Sequence, residues 1–251
     1  THMKFNKTLV TLAVVGSCLS SQAVLADSLS ANASVANNYI WRGLTQTMNE
    51  PAVSGGIDYA SDSGFYAGTW ASNVKYGAAD NFSYEHDVYF GYAGESGDIS
   101  YDVGYLYYNY DEAAGFDFGE IYGTIGYGSF SATLYVLANA EPDETDFFEV
   151  EDGVFEDGDF GFGSTTYISL DYGFALESGT EIGLHVGSHQ GDFNEAFNGV
   201  PGDYRDFSVS VAKDGFAFVI STTDLDDAGD DDPYDNDAIK YTVSYSVDFE
   251  L

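Results

Sequence analysis

The last eleven residues, 241–251, alternate strictly between apolar and polar side chains. Tyr, Val, Tyr, Val, Phe and Leu occupy every second position, and Thr, Ser, Ser, Asp and Glu lie between them. Successive side chains of a β-strand point to opposite faces, so this strand has one apolar and one polar face. We expect it to be the closing strand of a barrel that faces lipid outside and a polar lumen inside.

The same period-two alternation recurs along the rest of the chain. In 99–108, for example, Ile99, Tyr101 and Val103 oppose Ser100 and Asp102. The register of one strand, near 115–127, is ambiguous. Twelve strands are predicted, at 28–40, 51–60, 64–74, 82–94, 98–109, 115–127, 129–139, 164–175, 179–189, 203–213, 215–224 and 237–251.

Short and long connectors alternate between these strands. Short Gly-bearing turns are predicted at 61–64, 95–98, 126–129, 177–180 and 213–215. Longer connectors are predicted at 41–50, 75–81, 110–114, 140–163, 190–202 and 225–236. A soluble β-sandwich has no reason to sort its loops this way. The fold class is therefore all-β: a transmembrane antiparallel β-barrel of twelve strands, with short periplasmic turns and long acidic extracellular loops.

Residues 1–26 have the form of a segment that is removed. Two residues resembling a cloning scar precede Met3, and two lysines, a short apolar run and small residues ending at Ala26 follow. This pattern predicts a secretory signal peptide, and a lipoprotein signal at Cys18 is the alternative. We expect export to the outer membrane of a Gram-negative bacterium and a single barrel domain over 27–251 without cysteine.

The charge balance is extreme. The chain has 42 Asp and Glu against 7 Lys and Arg, a net charge of −35. Such a surface repels nucleic acid and attracts cations, so nucleic acid is not an expected partner. Ten carboxylates lie in 141–159 and eight in 224–237, without apolar periodicity. These segments are expected to be external loops, either as a solvated acidic surface or as ion-binding groups.

The second acidic connector is a candidate for Ca²⁺, which takes about six to eight oxygen ligands. No EF-hand pattern with its Gly and terminal Glu is present. We therefore expect no cofactor beyond loosely bound Ca²⁺. The candidate ligands are Asp224, Asp226, Asp227, Asp230, Asp231 and Asp232.

The segment 38–102 carries the most specific motifs. It contains Asn-Tyr-Ile-Trp-Arg-Gly at 38–43, Pro-Ala-Val-Ser-Gly-Gly-Ile-Asp-Tyr at 51–59 and Gly-Phe-Tyr-Ala-Gly-Thr-Trp-Ala-Ser-Asn-Val at 64–74. This segment resembles the Gcw_chp (TorF-like) family of proteobacterial outer-membrane proteins. The resemblance implies a barrel in the outer membrane. Because the family has no settled activity, it implies no mechanism.

Within that segment, Arg42 stands beside Trp41 at the outer end of the first predicted strand. Charged side chains facing lipid at the midplane cost about 2–4 kcal/mol, so strand carboxylates are expected to face inward. Arg42 is then a candidate constriction residue, paired with Asp58, Glu85, Asp87 or Asp102. The alternative is a structural ion-pair network that fills a narrow lumen with Tyr89, Tyr108 and Tyr135. The candidate lumen residues are Arg42, Asp58, Glu85, Asp87, Asp102, Asp171, Glu181 and Asp206.

No motif in the sequence indicates catalysis. His185 and His189 are on one strand face, about 13 Å apart along the axis, too far to bind one metal ion. No spacing singles out a Ser-His-Asp triad, and no Gly-rich phosphate loop or cysteine metal motif is present. We predict that the protein is not an enzyme.

Three functions stay open from the sequence. The preferred one is a narrow, porin-like channel for cations or small neutral solutes, since rings of carboxylates favour cations. The second is a closed barrel anchor whose acidic loops bind divalent cations or a protein partner. The third is a structural or secretion-associated role. The expected partners are outer-membrane lipid, lipopolysaccharide and the barrel assembly machinery, and the oligomeric state is left open.

Overall fold

A computed structural model describes residues 27–77, 81–142, 148–150, 154–156, 158–227, 229 and 232–251. Residues 1–26, predicted as a cloning scar and signal peptide, lie outside this part of the chain. Its regular elements, in chain order, are β1 Ser28–Ala36, β2 Ile40–Trp41, β3 Leu44–Thr45, β4 Ala52–Ala60, β5 Phe65–Asn73, β6 Tyr84–Ser96, β7 Ile99–Asn109, β8 Phe118–Tyr127, β9 Phe130–Ala140, β10 Phe148–Val150, β11 Val154–Glu156, β12 Thr166–Ala175, β13 Glu181–Gln190, α1 Asp192–Asn198, β14 Tyr204–Lys213, β15 Phe216–Thr223 and β16 Lys240–Glu250.

Twelve of these strands close into one antiparallel barrel. The order around it is β1, β4, β5, β6, β7, β8, β9, β12, β13, β14, β15 and β16. The last strand pairs with the first, from Ser30↔Glu250 to Ala36↔Ser244, so no open edge is left. The prediction of a twelve-stranded barrel is confirmed, with strand ends that differ by four residues or fewer.

The outer face of the barrel is apolar all the way round. Each barrel strand contributes exposed apolar side chains, for example Val103 on β7 (52% exposed) and Val209 on β14 (46% exposed). Their neighbours along each strand point inward, as the period of two requires. An apolar belt of this kind suits contact with lipid chains.

A bulge interrupts the pairing of β8 with β9. Between Gly119 and Glu120 the pairing of β8 with β9 shifts, because Gly119 faces Asn139 whereas Glu120 faces Leu137. The extra residue on β9 is Ala138, and it breaks the strict alternation there. Within β8 itself the alternation is kept: Glu120 points into the lumen and is 2% exposed, like Phe118 and Tyr122, whereas Ile121 is 42% exposed.

The connectors differ at the two ends of the barrel. Five short turns lie at one end together with Asp27 and Leu251, and this end is here called the short-turn end. Six longer segments lie at the other, the long-loop end, and they carry α1 and the two small hairpins. Among the described residues, no helix has the length and apolar character needed to cross a membrane.

Candidate functional site: the barrel lumen

A segment from the long-loop end folds down into the barrel. This plug, residues 37–50, contains the hairpin of β2 and β3, whose tip is Arg42-Gly43. Both tip residues have positive φ, 49° and 83°, which suits the type I′ turn of a two-residue hairpin. The sequence predicted strand to residue 40 and an external connector over 41–50. That prediction is wrong, because the connector lies inside the lumen, where Leu44 is 1% exposed.

The plug satisfies many of its own polar groups. The hydroxyls of Thr45 and Thr47 donate to Oδ1 of Asn38, at 2.7 and 3.1 Å. The backbone N–H of Asn49 donates to Oγ1 of Thr45 at 2.9 Å. Outside the short hairpin, these local hydrogen bonds satisfy polar groups of the plug that would otherwise be buried without partners.

Arg42 lies at the centre of the lumen in a buried ion pair with Glu120. Its guanidinium donates to both carboxylate oxygens, at 2.9 and 2.6 Å, and the two side chains are 6% and 2% exposed. Tyr108 donates to the same carboxylate at 3.0 Å, and Nε2 of His189 lies 3.0 Å from the guanidinium. Two parallel bonds of this kind hold both charge and orientation.

Three aromatic rings surround the same guanidinium. Its central carbon lies 4.2 Å from the ring centre of Trp41, 4.4 Å from Tyr167 and 4.7 Å from Tyr135. Cation–π contacts strengthen when the cation is removed from water, as it is here. Arg42 therefore joins the plug to β8, β9 and β12 at once.

The predicted partner of Arg42 was wrong. None of the four carboxylates named from the sequence, Asp58, Glu85, Asp87 and Asp102, pairs with it. Glu120 was missed because the register of its strand was left ambiguous in the sequence, although alternation along β8 places it inward with Phe118 and Tyr122. Arg42 was expected in the lumen at the outer end of the first strand; its side chain does lie in the lumen, but the tip of the hairpin carries it there.

Glu85 and Asp87 face the plug from β6. The hydroxyls of Tyr39 and Tyr110 donate to Glu85 at 2.7 and 2.8 Å. Asp87 is 7% exposed, and its Oδ1 has no hydrogen-bond partner within the described part of the chain. The buried half of the lumen thus holds more carboxylate than Arg42 can neutralise.

On the short-turn side of the plug, tyrosines donate hydrogen bonds to two further carboxylates. Tyr89 donates to Asp58 at 2.5 Å, and Asn32 donates to it at 3.3 Å. Tyr66 donates to Asp102 at 2.6 Å. Of the three tyrosines that were predicted to fill the lumen, Tyr89 and Tyr108 are buried and Tyr135 is half-buried.

Asp171 and Asp206 share one histidine that the sequence did not connect with them. Nδ1 of His185 lies 2.6 Å from Asp171, and Nε2 lies 2.9 Å from Asp206. An imidazole that faces a carboxylate at each nitrogen can satisfy both only by donating from both. His189, four residues on, contacts Arg42 instead, so the two histidines belong to different clusters.

A glycine makes room for this cluster. A methyl group on Gly187 would collide with the hydroxyl of Tyr167 and the carboxylate of Asp206. Those two groups are themselves hydrogen-bonded at 3.0 Å. The close approach of side chains to the β13 backbone therefore requires glycine.

The lumen changes character along the barrel axis. Towards the long-loop end, the plug buries the inward side chains, and Glu85 and Glu120 are each 2% exposed. Towards the short-turn end the inward carboxylates are in contact with water: Asp58, Asp102, Asp171 and Glu181 are half-buried, and Asp248 is exposed. The lumen is thus closed by the plug towards the long-loop end, and its carboxylate-lined half towards the short-turn end, here called the acidic cup, is the more accessible part.

An aromatic layer covers the plug at the long-loop end. Phe197 of α1 packs against Trp41 with ring centres 6.4 Å apart, and against Tyr110 at 5.4 Å. Phe193, one turn earlier, packs on Phe118 at 4.9 Å. The helix is thereby attached to both the plug and the barrel wall.

The acidic loop residues are used differently from the lumen carboxylates. Asp224 pairs with Arg205 at 3.4 Å, and Asp227 and Asp232 accept backbone N–H groups within their own loop. Asp226 is exposed, while Asp230 and Asp231 lie outside the described residues. In the described ranges, no group of three or more His, Cys, Asp or Glu could hold a metal ion.

A closed twelve-stranded barrel with a lipid-facing apolar belt and a polar lumen is a β-barrel of the outer-membrane porin type. The chain belongs to the bacterial family Gcw_chp, described as a bacterial protein of unknown function, whose profile matches residues 21–250. This confirms the family resemblance found in the sequence.

Several solved structures are similar to this chain at low sequence identity. The KdgM porin and the NanC porin are each 9% identical with a TM-score of 0.48; the match covers 89% of this chain and 99% and 100% of theirs. A chain from work on in-meso crystallisation of membrane proteins is 7% identical with a TM-score of 0.52, over 89% of this chain and 84% of that one. These similarities concern the fold alone. A comparison with curated proteins gives no match.

Proposed function

We propose that the protein is a narrow outer-membrane channel for small cations or small neutral solutes, shut in this conformation by the plug. The observation that carries the proposal is the acidic cup, whose water-accessible carboxylates lead to the buried pair of Arg42 and Glu120. We propose that the protein lets solutes pass through its lumen and catalyses no reaction.

Charge sets the expected selectivity. Asp58, Asp102 and Asp171 lie on different walls of the cup, on β4, β7 and β12. Carboxylates arranged around a lumen raise the local concentration of cations and exclude anions. The net charge of −35 adds to this preference before a solute reaches the barrel.

We further propose the orientation and location expected from the sequence. Residues 1–26 direct export and are removed, the short-turn end faces the periplasm, and the acidic loops face outward. Outer-membrane lipid, lipopolysaccharide and the barrel assembly machinery are the proposed partners. Cleavage is checked by the mass of the protein isolated from outer membranes.

Reversal potentials across planar lipid bilayers in a salt gradient test the channel. We expect cation preference, and we expect Asp58→Asn, Asp102→Asn and Asp171→Asn together to move the reversal potential towards zero. The matched control is Asp62→Asn, Asp98→Asn and Asp214→Asn, which removes three exposed charges from the turns at the same end. Anion preference, or an equal shift in the control, would contradict the proposal.

The tight packing of the plug favours a second candidate, a closed anchor whose acidic loops bind divalent cations or a protein. Deleting these loops would not separate the two functions, because Asn236 accepts a hydrogen bond from the plug at 3.1 Å. Replacing the loop carboxylates by amides is the cleaner test. A channel keeps its conductance after this change, whereas an anchor loses Ca²⁺ binding measured by calorimetry and never conducts.

A further inference from the structure

A cavity of about 240 Å³ lies at the long-loop end, between the plug, α1 and the segment that precedes β16. Three aromatic residues and three polar ones shape it: Tyr76, Phe197, Tyr234, Thr45, Asn198 and Asn236. The floor is the back of the plug, so a molecule in this cavity sits directly above the closed lumen.

Two amide side chains in the wall each have one group that is available to hydrogen-bond a ligand. Asn236 is 6% exposed and accepts the Thr45 N–H through Oδ1, which leaves its Nδ2 without a partner in the described part of the chain. Asn198 donates from Nδ2 to Asn194 at 2.9 Å, which leaves its Oδ1 as an acceptor. An apolar ligand would bury these groups unpaired, and each would oppose binding. The cavity therefore favours a ligand with hydroxyl groups.

The aromatic part of the wall is held in place by its neighbours. Tyr76 and Phe197 pack edge to face with ring centres 5.7 Å apart. The hydroxyl of Tyr234 donates to the backbone carbonyl of Tyr76. Lys240 donates to the carbonyl of Tyr234 at 2.7 Å and so holds the segment before β16. Rigid rings beside amides suit a ligand with both C–H faces and hydroxyl edges.

The wall also selects on charge. Its lining contains no Asp, Glu, Lys, Arg or His among the described residues. A charged ligand would be desolvated there without a counter-charge, and an anion would also meet the field of a chain with net charge −35.

We infer that this cavity binds a neutral, hydroxylated solute of monosaccharide size. Its use as a docking place for a transported solute rests on the proposed channel, but binding itself does not. For a ligand this small, the expected Kd lies in the millimolar range.

Saturation-transfer NMR on the full protein in detergent micelles measures such weak binding. Glucose is the neutral probe, galacturonate the anionic probe and glucosamine the cationic probe, all of similar size. The blocking variant is Ala196→Phe, which fills the cavity from α1, and the matched control is Ala113→Phe on an exposed loop. Heat-modifiable migration in gels verifies that both variants form barrels. Asn236→Ala is a second variant that removes the free amide.

Saturation transfer to glucose, lost in Ala196→Phe, reduced severalfold in Asn236→Ala and kept in Ala113→Phe, is the expected result. No transfer to glucose, equal transfer to galacturonate, or transfer that survives Ala196→Phe would overturn the inference. Conductance recorded from the same preparation without sugar tests the channel independently, so failure of one proposal is not failure of the other.

Discussion

The ion pair of Arg42 and Glu120 should decide whether the lumen conducts. Replacing Arg42 by Ala leaves a carboxylate that is 2% exposed with Tyr108 as its remaining donor in this cluster. Removing one partner of a buried pair costs about 3–5 kcal/mol, because the other charge stays desolvated. In the open state Glu120 would be hydrated, so this cost falls on the closed state alone.

The magnitude follows from that difference. A bias of about 3 kcal/mol changes an equilibrium roughly a hundredfold, at about 1.4 kcal/mol per factor of ten. Loss of the three cation–π contacts acts in the same direction. We expect Arg42→Ala to raise the open probability in planar bilayers by about two orders of magnitude if the wild type is mostly closed.

The control is Arg205→Ala, which breaks an ion pair whose side chains are 66% and 39% exposed. Exposed pairs contribute about 0–1 kcal/mol, so conductance should hardly change. The double variant Arg42→Met, Glu120→Leu removes both charges and should lie closer to wild type than Arg42→Ala. If Arg42→Ala is as closed as wild type, or the double variant is equally open, the ion pair does not hold the plug.

Three further outcomes follow from the packing of the barrel. Gly187→Ala places a methyl group against a buried hydroxyl and carboxylate and should cost about 1–3 kcal/mol in unfolding free energy, whereas Gly123→Ala, with open space around it, should be neutral in urea titrations. His185→Phe removes the imidazole shared by Asp171 and Asp206, which keep only Ser169 and Tyr167 as donors within the described part of the chain, and should lower the thermal midpoint of unfolding. The outward-facing His86→Phe loses one contact with Thr69 and should lower it less. Val103→Arg places a charge on the lipid face and should cost about 2–4 kcal/mol, seen as loss of heat-modifiable barrel in membranes; an unaffected yield would refute the assigned face.

The plug shows where reasoning from the sequence stops. Its residues, Trp41 to Gln46, have no strong period, so they read as an external connector. Their burial depends on what the far side of the barrel supplies: Glu120 is 78 residues from Arg42 and His189 is 147 residues away. Such a pairing becomes visible only after the strands have closed.

The lumen carboxylates are an intermediate case. Alternation along β4, β6 and β7 assigns Asp58, Glu85 and Asp102 to the polar phase, and the structure has them inside. Their hydrogen-bond partners do not follow from alternation, since Tyr66 of β5 reaches Asp102 of β7 past the strand between them. Whether a side chain points inward depends on its own strand alone, whereas the side chain that it meets depends on the tilt and stagger of all twelve strands.

By itself the sequence determined the fold class, the twelve strands and the sorting of turns and loops, because these depend on local periods of two and on turn residues. The alternation of residues 241–251 by itself indicated the closing strand of a barrel. Tertiary structure alone decided that one loop folds inward, that Glu120 neutralises Arg42, and that the inward carboxylates are more accessible towards the short-turn end. Those features arise from contacts between residues that are far apart in the chain. Such residues meet only when the twelve strands have closed into a barrel.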